Sequence, residues 1–369
     1  MKESLLRKTG RVRVENNIAL NEFRKKIEHV KADIQNVYLA DQTPWVIAYS
    51  GGKDSTLTLQ IVLETITKIE TPGKGIHILY VDTRVEPPPV INNATMVLQK
   101  IESWAKKKNL PVTAKILYPD VKESFFTLVL GKGYLPPTRY FRWCTKRLKV
   151  RPIENYIREL IREHGGCVVL LGMRLKESAA RDKNLKKRGY SKWMPFEGVK
   201  GAMIYAPILE LSIEDVWSYL LENEPPWGAD NGHLRTLYTG GNTNCSLFCG
   251  GIRFGCWVCT VVKKDRCTEG LSQIPGWEWL ESLLKYRDLM LEVRDKPENR
   301  VWRQNNGRSY LGPLNLETRK LLYGEVKKLE SQLGQKILLP TEEEIIHNLW
   351  KENKFYEGIT AKGNAKASR

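Results

Sequence analysis

Three groups of residues in this chain have types and spacings that chemistry could use. The first is Ser50-Gly51-Gly52-Lys53-Asp54-Ser55-Thr56, which follows a short apolar run and opens a helical pattern. Its two glycines let backbone N–H groups approach a phosphate closely. A helix N-terminus adds a favourable dipole, Ser55 and Thr56 add hydroxyls, and Lys53 adds charge. The spacing is not that of the Walker loop. The second group is Gly172–Arg181 (GMRLKESAAR), in which Arg174 and Arg181 could clamp phosphates with forked hydrogen bonds. Charge developing on an α-phosphate needs such donors. Between residues 174 and 200, nine Lys/Arg face three acids. The third group is Cys249-x6-Cys256-x2-Cys259, whose soft thiolates select zinc or iron–sulfur. A zinc ribbon would want two CxxC pairs and only one is present, whereas an iron–sulfur cluster can take a distant fourth thiolate. Cys144, with six Lys/Arg and no acid across 139–151, is the candidate for that ligand. A structural zinc knot is the alternative. Cys245 could be a further ligand or a persulfide carrier, Cys167 reads as core, and Cys267 has no clear role.

These residues need elements to hold them. Trp45–Tyr49, Ile76–Val81, Val112–Leu117 and Val168–Gly172 are apolar runs of strand length, and Thr56–Ile69, residues 90–108 and Arg151–His164 carry helical periodicity. Strand and helix in alternation predict an α/β fold with a doubly wound parallel sheet, whose ligands bind beyond the carboxyl ends of the strands. Both phosphate motifs fall at such ends, as does Asp82 after the second strand. Residues 15–40 read as a helix, from Ile18, Leu20, Phe23, Ile27, Val30, Ile34 and Val37. Ser212 is placed to cap a helix that turns Val216, Trp217 and Leu220 inward. Beyond Ile208 the pattern becomes mostly helical. Residues 225–260 read as Cys-rich loops, and residues 277–294 and 317–333 as helices. The expected organisation is an N-terminal helical segment (1–40), an α/β domain (41–222), a Cys-rich loop and helical C-terminal region (223–357), and a disordered polar tail (358–369).

Over 369 residues the formal net charge is +17, which favours a polyanionic partner such as nucleic acid. No helix-turn-helix, zinc-finger or RNP pattern is present, so a pure nucleic-acid-binding module is not expected. No apolar run approaches the roughly 18 residues of a membrane span, and none follows the charged N-terminus. A cytoplasmic chain without membrane association is therefore expected, one in which clustered cysteines signal a metal or redox chemistry.

SGGKDS resembles the pyrophosphate loop of the ATP pyrophosphatases, which have the adenine nucleotide alpha hydrolase (HUP-like) fold. GMRLKESAAR resembles a segment of the phosphoadenylyl-sulfate reductases and their relatives, and Pro207–Trp217 resembles another, with Leu211 where Trp is usual. Taken with YVDTRVEPP, FRWCTKRLKVRP and CGGIRFGCWVCTVVKKD, the chain resembles over about residues 15–330 the DndC-like ATPases of bacterial DNA phosphorothioation. The SspD-like ATPases of the single-strand system are similar. The resemblance implies that ATP is cleaved to AMP and pyrophosphate, and that the adenylate activates a DNA backbone phosphate for sulfur incorporation. ATP and Mg²⁺ would be held by Ser50, Gly51, Gly52, Lys53, Asp54, Ser55, Thr56, Asp82 and Gly172. Lys53, Asp54, Arg174 and Arg181 would carry catalysis, and a 4Fe–4S cluster would sit on Cys144, Cys249, Cys256 and Cys259. The implied partners are DNA, a cysteine desulfurase as sulfur donor, and other phosphorothioation subunits. tRNA thiolation, a sulfonucleotide reductase, and an iron–sulfur scaffold that senses ATP are the competing readings. The complete loop argues against a reductase, which carries a degenerate one, and the cysteine spacing differs from that of the tRNA thiolases.

Overall fold

A computed structural model describes residues 2–177, 183, 186, 189–228, 230–239, 255–306 and 308–352, with side chains from Leu20 onward, that of Asn305 excepted. Arg181, Cys245, Cys249 and the tail 358–369 lie outside the described residues. The first helix, α1, spans Lys2–Leu39. Its buried stripe is Ile27, Val30, Ile34 and Tyr38, so the helical spacing read from the sequence is the one used. Tyr38 closes that stripe, and its ring meets Trp45 edge-on at 5.2 Å.

The sheet is built from β1 (Trp45–Ala48), β2 (Ile76–Val81), β3 (Val112–Leu117), β4 (Cys167–Leu170), β5 (Trp193–Pro195) and β6 (Ala202–Tyr205), in the order β3-β2-β1-β4-β6-β5. β1 pairs parallel with both β2 and β4, and β4 pairs parallel with β6. β5 runs antiparallel on the edge beside β6. This is the doubly wound α/β sheet expected from the alternating pattern. Its two centre strands are apolar throughout because helices cover both faces. β5 and β6 were not read from the sequence: they are short, and exposed Trp193 and Met203 interrupt their buried residues.

The crossover helices are α2 (Lys53–Ile66), α3 (Pro88–Lys107) and α4 (Arg151–His164). Next come α5 (Ile213–Glu222), α6 (Gly232–Thr239) and α7 (Arg266–Leu271), then α8 (Leu280–Asp295), α9 (Leu316–Leu333) and α10 (Pro340–Lys351). Ser212 caps α5 by accepting from the Asp215 amide at 3.1 Å, while Asp215 accepts from the Ser212 amide at 2.8 Å. Val216, Trp217 and Leu220 are buried on that helix as the sequence predicts. The helical C-terminal part holds one departure, an antiparallel hairpin of β7 (Arg300–Asn305) and β8 (Arg308–Leu314). α6 likewise forms inside the segment read as loop. Thr127–Gly131 and Thr145–Val150 are short π-helical segments, the second beginning directly after Cys144.

The chain forms two compact units that interleave in sequence. One comprises Met1–Tyr80, Ala94–Lys115 and Ile157–Leu234, and the other Val81–Asn93, Ile116–Tyr156 and Arg235–Arg369. The second unit has its own core, in which Phe125, Phe126, Trp143, Trp257, Tyr286 and Met290 pack together. Among the described residues no helix is long and apolar enough to cross a membrane.

Candidate functional sites

The strand order of the first unit reverses between β1 and β4. In a doubly wound sheet the crevice beyond the carboxyl ends of two such strands is where ligands bind. Ser50–Ser55 follows β1 and Gly172–Arg174 follows β4. Gly51 takes the left-handed conformation at φ 73°, which favours glycine. Gly52 is the N-cap of α2, and no side chain caps that helix. The opening amides of α2 therefore face the crevice as donors for an anion. The hydroxyls tie the loop together: Ser55 Oγ donates to the Gly52 carbonyl at 2.9 Å and lies 3.0 Å from Ser50 Oγ. Thr56 Oγ1 donates to the same carbonyl at 3.0 Å. Ser50, Ser55 and Thr56 thus tie the loop together through bonds within it.

Those charges converge on Asp54. Its carboxylate accepts from Lys53 Nζ at 2.9 Å and from Arg174 Nε at 2.5 Å. Arg174 is only 5% exposed, and its guanidinium also donates to the Leu211 carbonyl at 3.4 Å. One carboxylate against two cations leaves a net positive site at the end of the β1–β4 crevice. Gly172 also sits at a close backbone approach. A Cβ there would lie 2.6 Å from the Asp54 carbonyl oxygen and 2.8 Å from the Ser55 amide nitrogen. Only glycine lets the chain leaving β4 pass against the first turn of α2.

Asp82 follows β2 and belongs to the second unit. Its carboxylate accepts from the Arg84 amide at 2.7 Å, closing a turn in which Arg84 takes φ 61°. Burial, helped by the Glu86 carboxylate, holds Asp82 above the usual aspartate range, against the pull of Arg84.

The second site is the thiol neighbourhood of the second unit. In Cys256-Trp257-Val258-Cys259, the amide of Cys259 donates to the Cys256 carbonyl at 2.9 Å. The two middle residues are buried, Trp257 packing on Phe126 and Tyr286, while both cysteines stay half-buried. The core therefore sets the orientation of the turn. Residues 83–86 brace it: Thr83 Oγ1 lies 3.7 Å from Cys256 Sγ, and the Trp257 amide donates to the Val85 carbonyl at 2.9 Å. Lys149 Nζ donates to Glu86 at 2.8 Å. Burial works against the Lys149 charge, but Cys256, Glu86 and Cys144 outweigh it and hold this lysine above its usual range. Cys144 is also raised, first by burial and then by Cys259, with Thr145 and Arg142 opposing. Burial pushes Cys256 up to about 11, against Lys149 and Thr83.

Cys144, Cys256 and Cys259 thus share one electrostatic neighbourhood with the Lys149 ammonium, and Arg142 acts on Cys144 as well. Among the described residues no three His, Cys, Asp or Glu stand close enough to hold one metal ion. A four-iron cluster makes a different demand, because each thiolate binds its own iron and the sulfurs stand further apart. Half-buried thiols beside a fixed cation suit that donor set. Cys249, expected as a ligand beside Cys256 and Cys259, lies outside the described residues, as do Arg181 and Cys245. Cys167 is buried in β4 as the sequence reading had it, and Cys267 is buried in α7.

Sequence reasoning missed two groups. Lys149 and Glu86 lie 63 positions apart, and nothing in the chain pairs them in advance. Arg287, 1% exposed, donates to the carbonyls of Cys259 and Lys263, both at 3.0 Å, and to that of Val262. It holds the chain that leaves the cysteine turn. Its signal was available, since it falls on the apolar stripe of α8 among Leu283, Tyr286 and Met290.

The phosphoadenosine phosphosulfate reductase domain matches residues 44–261, more than half of the chain, and the chain belongs to that family. Two curated relatives come from Methanocaldococcus jannaschii. The uncharacterized protein MJ0066 is 26% identical over 255 residues, covering 68% of this chain and 44% of the relative. The uncharacterized protein MJ0973 is 25% identical over 179 residues, covering 48% and 36%. The chain thus spans less than half the length of these two relatives. Similar solved structures include the U34-tRNA thiolase NcsA of Methanococcus maripaludis with its 4Fe–4S cluster. That match has 13% identity and a TM-score of 0.35, over 73% of this chain and 80% of that one. The NAD⁺ synthetase of Burkholderia pseudomallei matches at 12% identity and a TM-score of 0.37, over 85% and 91%.

Proposed function

We propose that this chain is an ATP pyrophosphatase that adenylylates a DNA backbone phosphate, so that sulfur can replace one of its oxygens in phosphorothioate modification. The observation that carries the reading is the Lys53–Asp54–Arg174 cluster, set at the uncapped N-terminus of α2 where the strand order reverses. A triphosphate is the ligand such a site suits. The loop amides take the β,γ-phosphates, while Lys53 and Arg174 exchange Asp54 for phosphate oxygens and meet the charge developing at the α-phosphorus. A DNA phosphate oxygen attacks that phosphorus, the bond to the β-phosphate breaks, and pyrophosphate leaves. A sulfur nucleophile then attacks the DNA phosphorus, and AMP departs with the oxygen.

Asp54, freed from its cations, would hold Mg²⁺, an oxygen-seeking ion that neutralises phosphate charge when bound. Cys144, Cys256 and Cys259, with Cys249, are the residues that would hold a 4Fe–4S cluster, which supplies electrons or a sulfur-binding iron when present. Lys149 keeps a positive charge beside those thiolates. On this reading a cysteine desulfurase delivers sulfur, other phosphorothioation subunits dock, and the protein works in the cytoplasm.

The test is pyrophosphate release from ATP with and without DNA, run beside an anaerobic assay of iron and acid-labile sulfide. Release stimulated by DNA, abolished by Lys53→Ala or Asp54→Ala, and about four irons per chain lost in each cysteine variant, are expected. DNA modification that persists when pyrophosphate release is abolished would identify a scaffold instead. Release stimulated by tRNA alone points to tRNA thiolation, and reduction of a ready-made adenylyl sulfate without ATP cleavage points to a reductase. A colourless, zinc-containing protein would remove the cluster from the account.

A further inference from the structure

The basic block around Cys144 does not act as one surface. Of its six cations, four are committed to carboxylates of the same unit. Lys146 pairs with Glu154, Arg147 and Arg151 both pair with Glu123, and Lys149 pairs with Glu86. Arg139 and Arg142 have no acidic partner among the described residues. These two flank Tyr140 and Phe141.

Tyr140 is 95% exposed, the most exposed large apolar side chain among the described residues, and Phe141 is 50% exposed. Burying such rings is worth free energy that the isolated unit forgoes. Nor is the tip a loose loop. Thr138 and Phe141 exchange backbone hydrogen bonds at 3.2 and 3.3 Å, and the Phe141 amide also donates to Thr138 Oγ1 at 3.0 Å. Both stems are pinned. On one side the Pro137 carbonyl accepts from Thr260 Oγ1 at 2.7 Å and from Arg294 at 3.1 Å. On the other, Trp143 stacks on Phe125 at 5.7 Å and its indole N–H donates to the Leu135 carbonyl at 2.9 Å. Two exposed rings between two unneutralised arginines are thus displayed on a preorganised turn, two residues before Cys144.

We infer that Arg139–Arg142 is a base-stacking contact for a DNA strand. The rings take the faces of unpaired bases and the two arginines take adjacent phosphates. Aromatic rings beside guanidinium groups match a ligand that alternates flat apolar faces with regular negative charge, and single-stranded nucleic acid has that pattern. Preorganisation of the turn reduces the ordering cost of binding. The inference rests on the proposed DNA substrate and adds which surface grips the strand and by what chemistry.

The test uses the full chain and a fluorescent single strand of about twelve nucleotides, with an abasic strand of equal length as control. Tyr140→Ala/Phe141→Ala should bind the normal strand about tenfold more weakly and the abasic strand as wild type does. Arg139→Gln/Arg142→Gln should weaken both and lower the slope of log affinity against log salt by about 1.4. Unfolding midpoints and DNA-independent pyrophosphate release should stay at wild-type values, because these side chains are exposed. Wild-type affinity in both double variants would overturn the inference while leaving the DNA substrate standing. A wild-type chain that binds no DNA at low salt would remove the substrate reading itself, and tighter binding to RNA of the same sequence would overturn the assignment to DNA.

Discussion

The phosphate loop and the cysteine turn solve the same problem, holding reactive groups in place, with opposite materials. The loop is positioned by backbone. Gly172 lets main chain pass against main chain, Gly51 takes a left-handed φ, and the hydroxyls of Ser50, Ser55 and Thr56 bond locally. The cysteine turn is positioned by its own Trp257 in the core and by side chains from distant segments: Thr83 and Glu86 after β2, Lys149 after Cys144, and Arg287 on α8. A site made of local backbone tolerates change in its surroundings but none in its glycines. One made of distant side chains fails wherever a brace is removed.

The largest effect is expected at Arg287. Arg287→Ala leaves the part-buried carbonyls of Cys259, Val262 and Lys263 without their donor, each lost hydrogen bond costing about 1 kcal/mol. A stability loss of at least about 3 kcal/mol in urea unfolding and loss of bound iron are expected. Pyrophosphate release per folded molecule should stay within about twofold, a change small beside the tenfold that 1.4 kcal/mol represents. Equal loss of both activities would mean that the two sites are not held independently.

Gly172→Ala is the converse. Its Cβ would meet the Asp54 carbonyl at 2.6 Å, so the first turn of α2 must shift, at about 1–3 kcal/mol. Pyrophosphate release should fall at least about tenfold while iron content is unchanged. Full activity in this variant would show that loop geometry is not set by that close approach.

The smallest effect separates apo from metal-loaded protein. Burial raises Cys167 and Cys256 to about 11 and Cys267 to about 12, so the native chain keeps protons that the unfolded chain releases above about pH 9. The stability they contribute is full below that pH and lost as pH rises through the native values, by about 1.4 kcal/mol per thiol at pH 10. A metal-bound Cys256 carries no proton, so the loaded protein should lose less. Identical pH profiles for the two forms would contradict ligation at Cys256.

The central strands and crossover helices were legible because burial on both faces leaves continuous apolar runs, and the alternation of strand and helix implied the parallel sheet. β5, β6 and the β7–β8 hairpin were not, since short strands with exposed residues such as Trp193 and Met203, and hairpins of mixed polarity, leave no continuous apolar run. The residues of the phosphate loop could be read directly, but the ion pair from Asp54 to Arg174, 120 positions on, could not.

By itself the sequence determined everything that depends on near neighbours: the glycine loop after β1, the Ser212 cap, the cysteine spacing and the excess of positive charge. Only the tertiary structure decided which cations of the block around Cys144 are neutralised, which of its aromatic rings are displayed, and which distant side chains brace the cysteine turn. Local bonding and periodicity act over a few residues and leave a mark in the order of the chain. Ion pairs and core contacts join segments that only folding brings together, so the linear order holds no record of them.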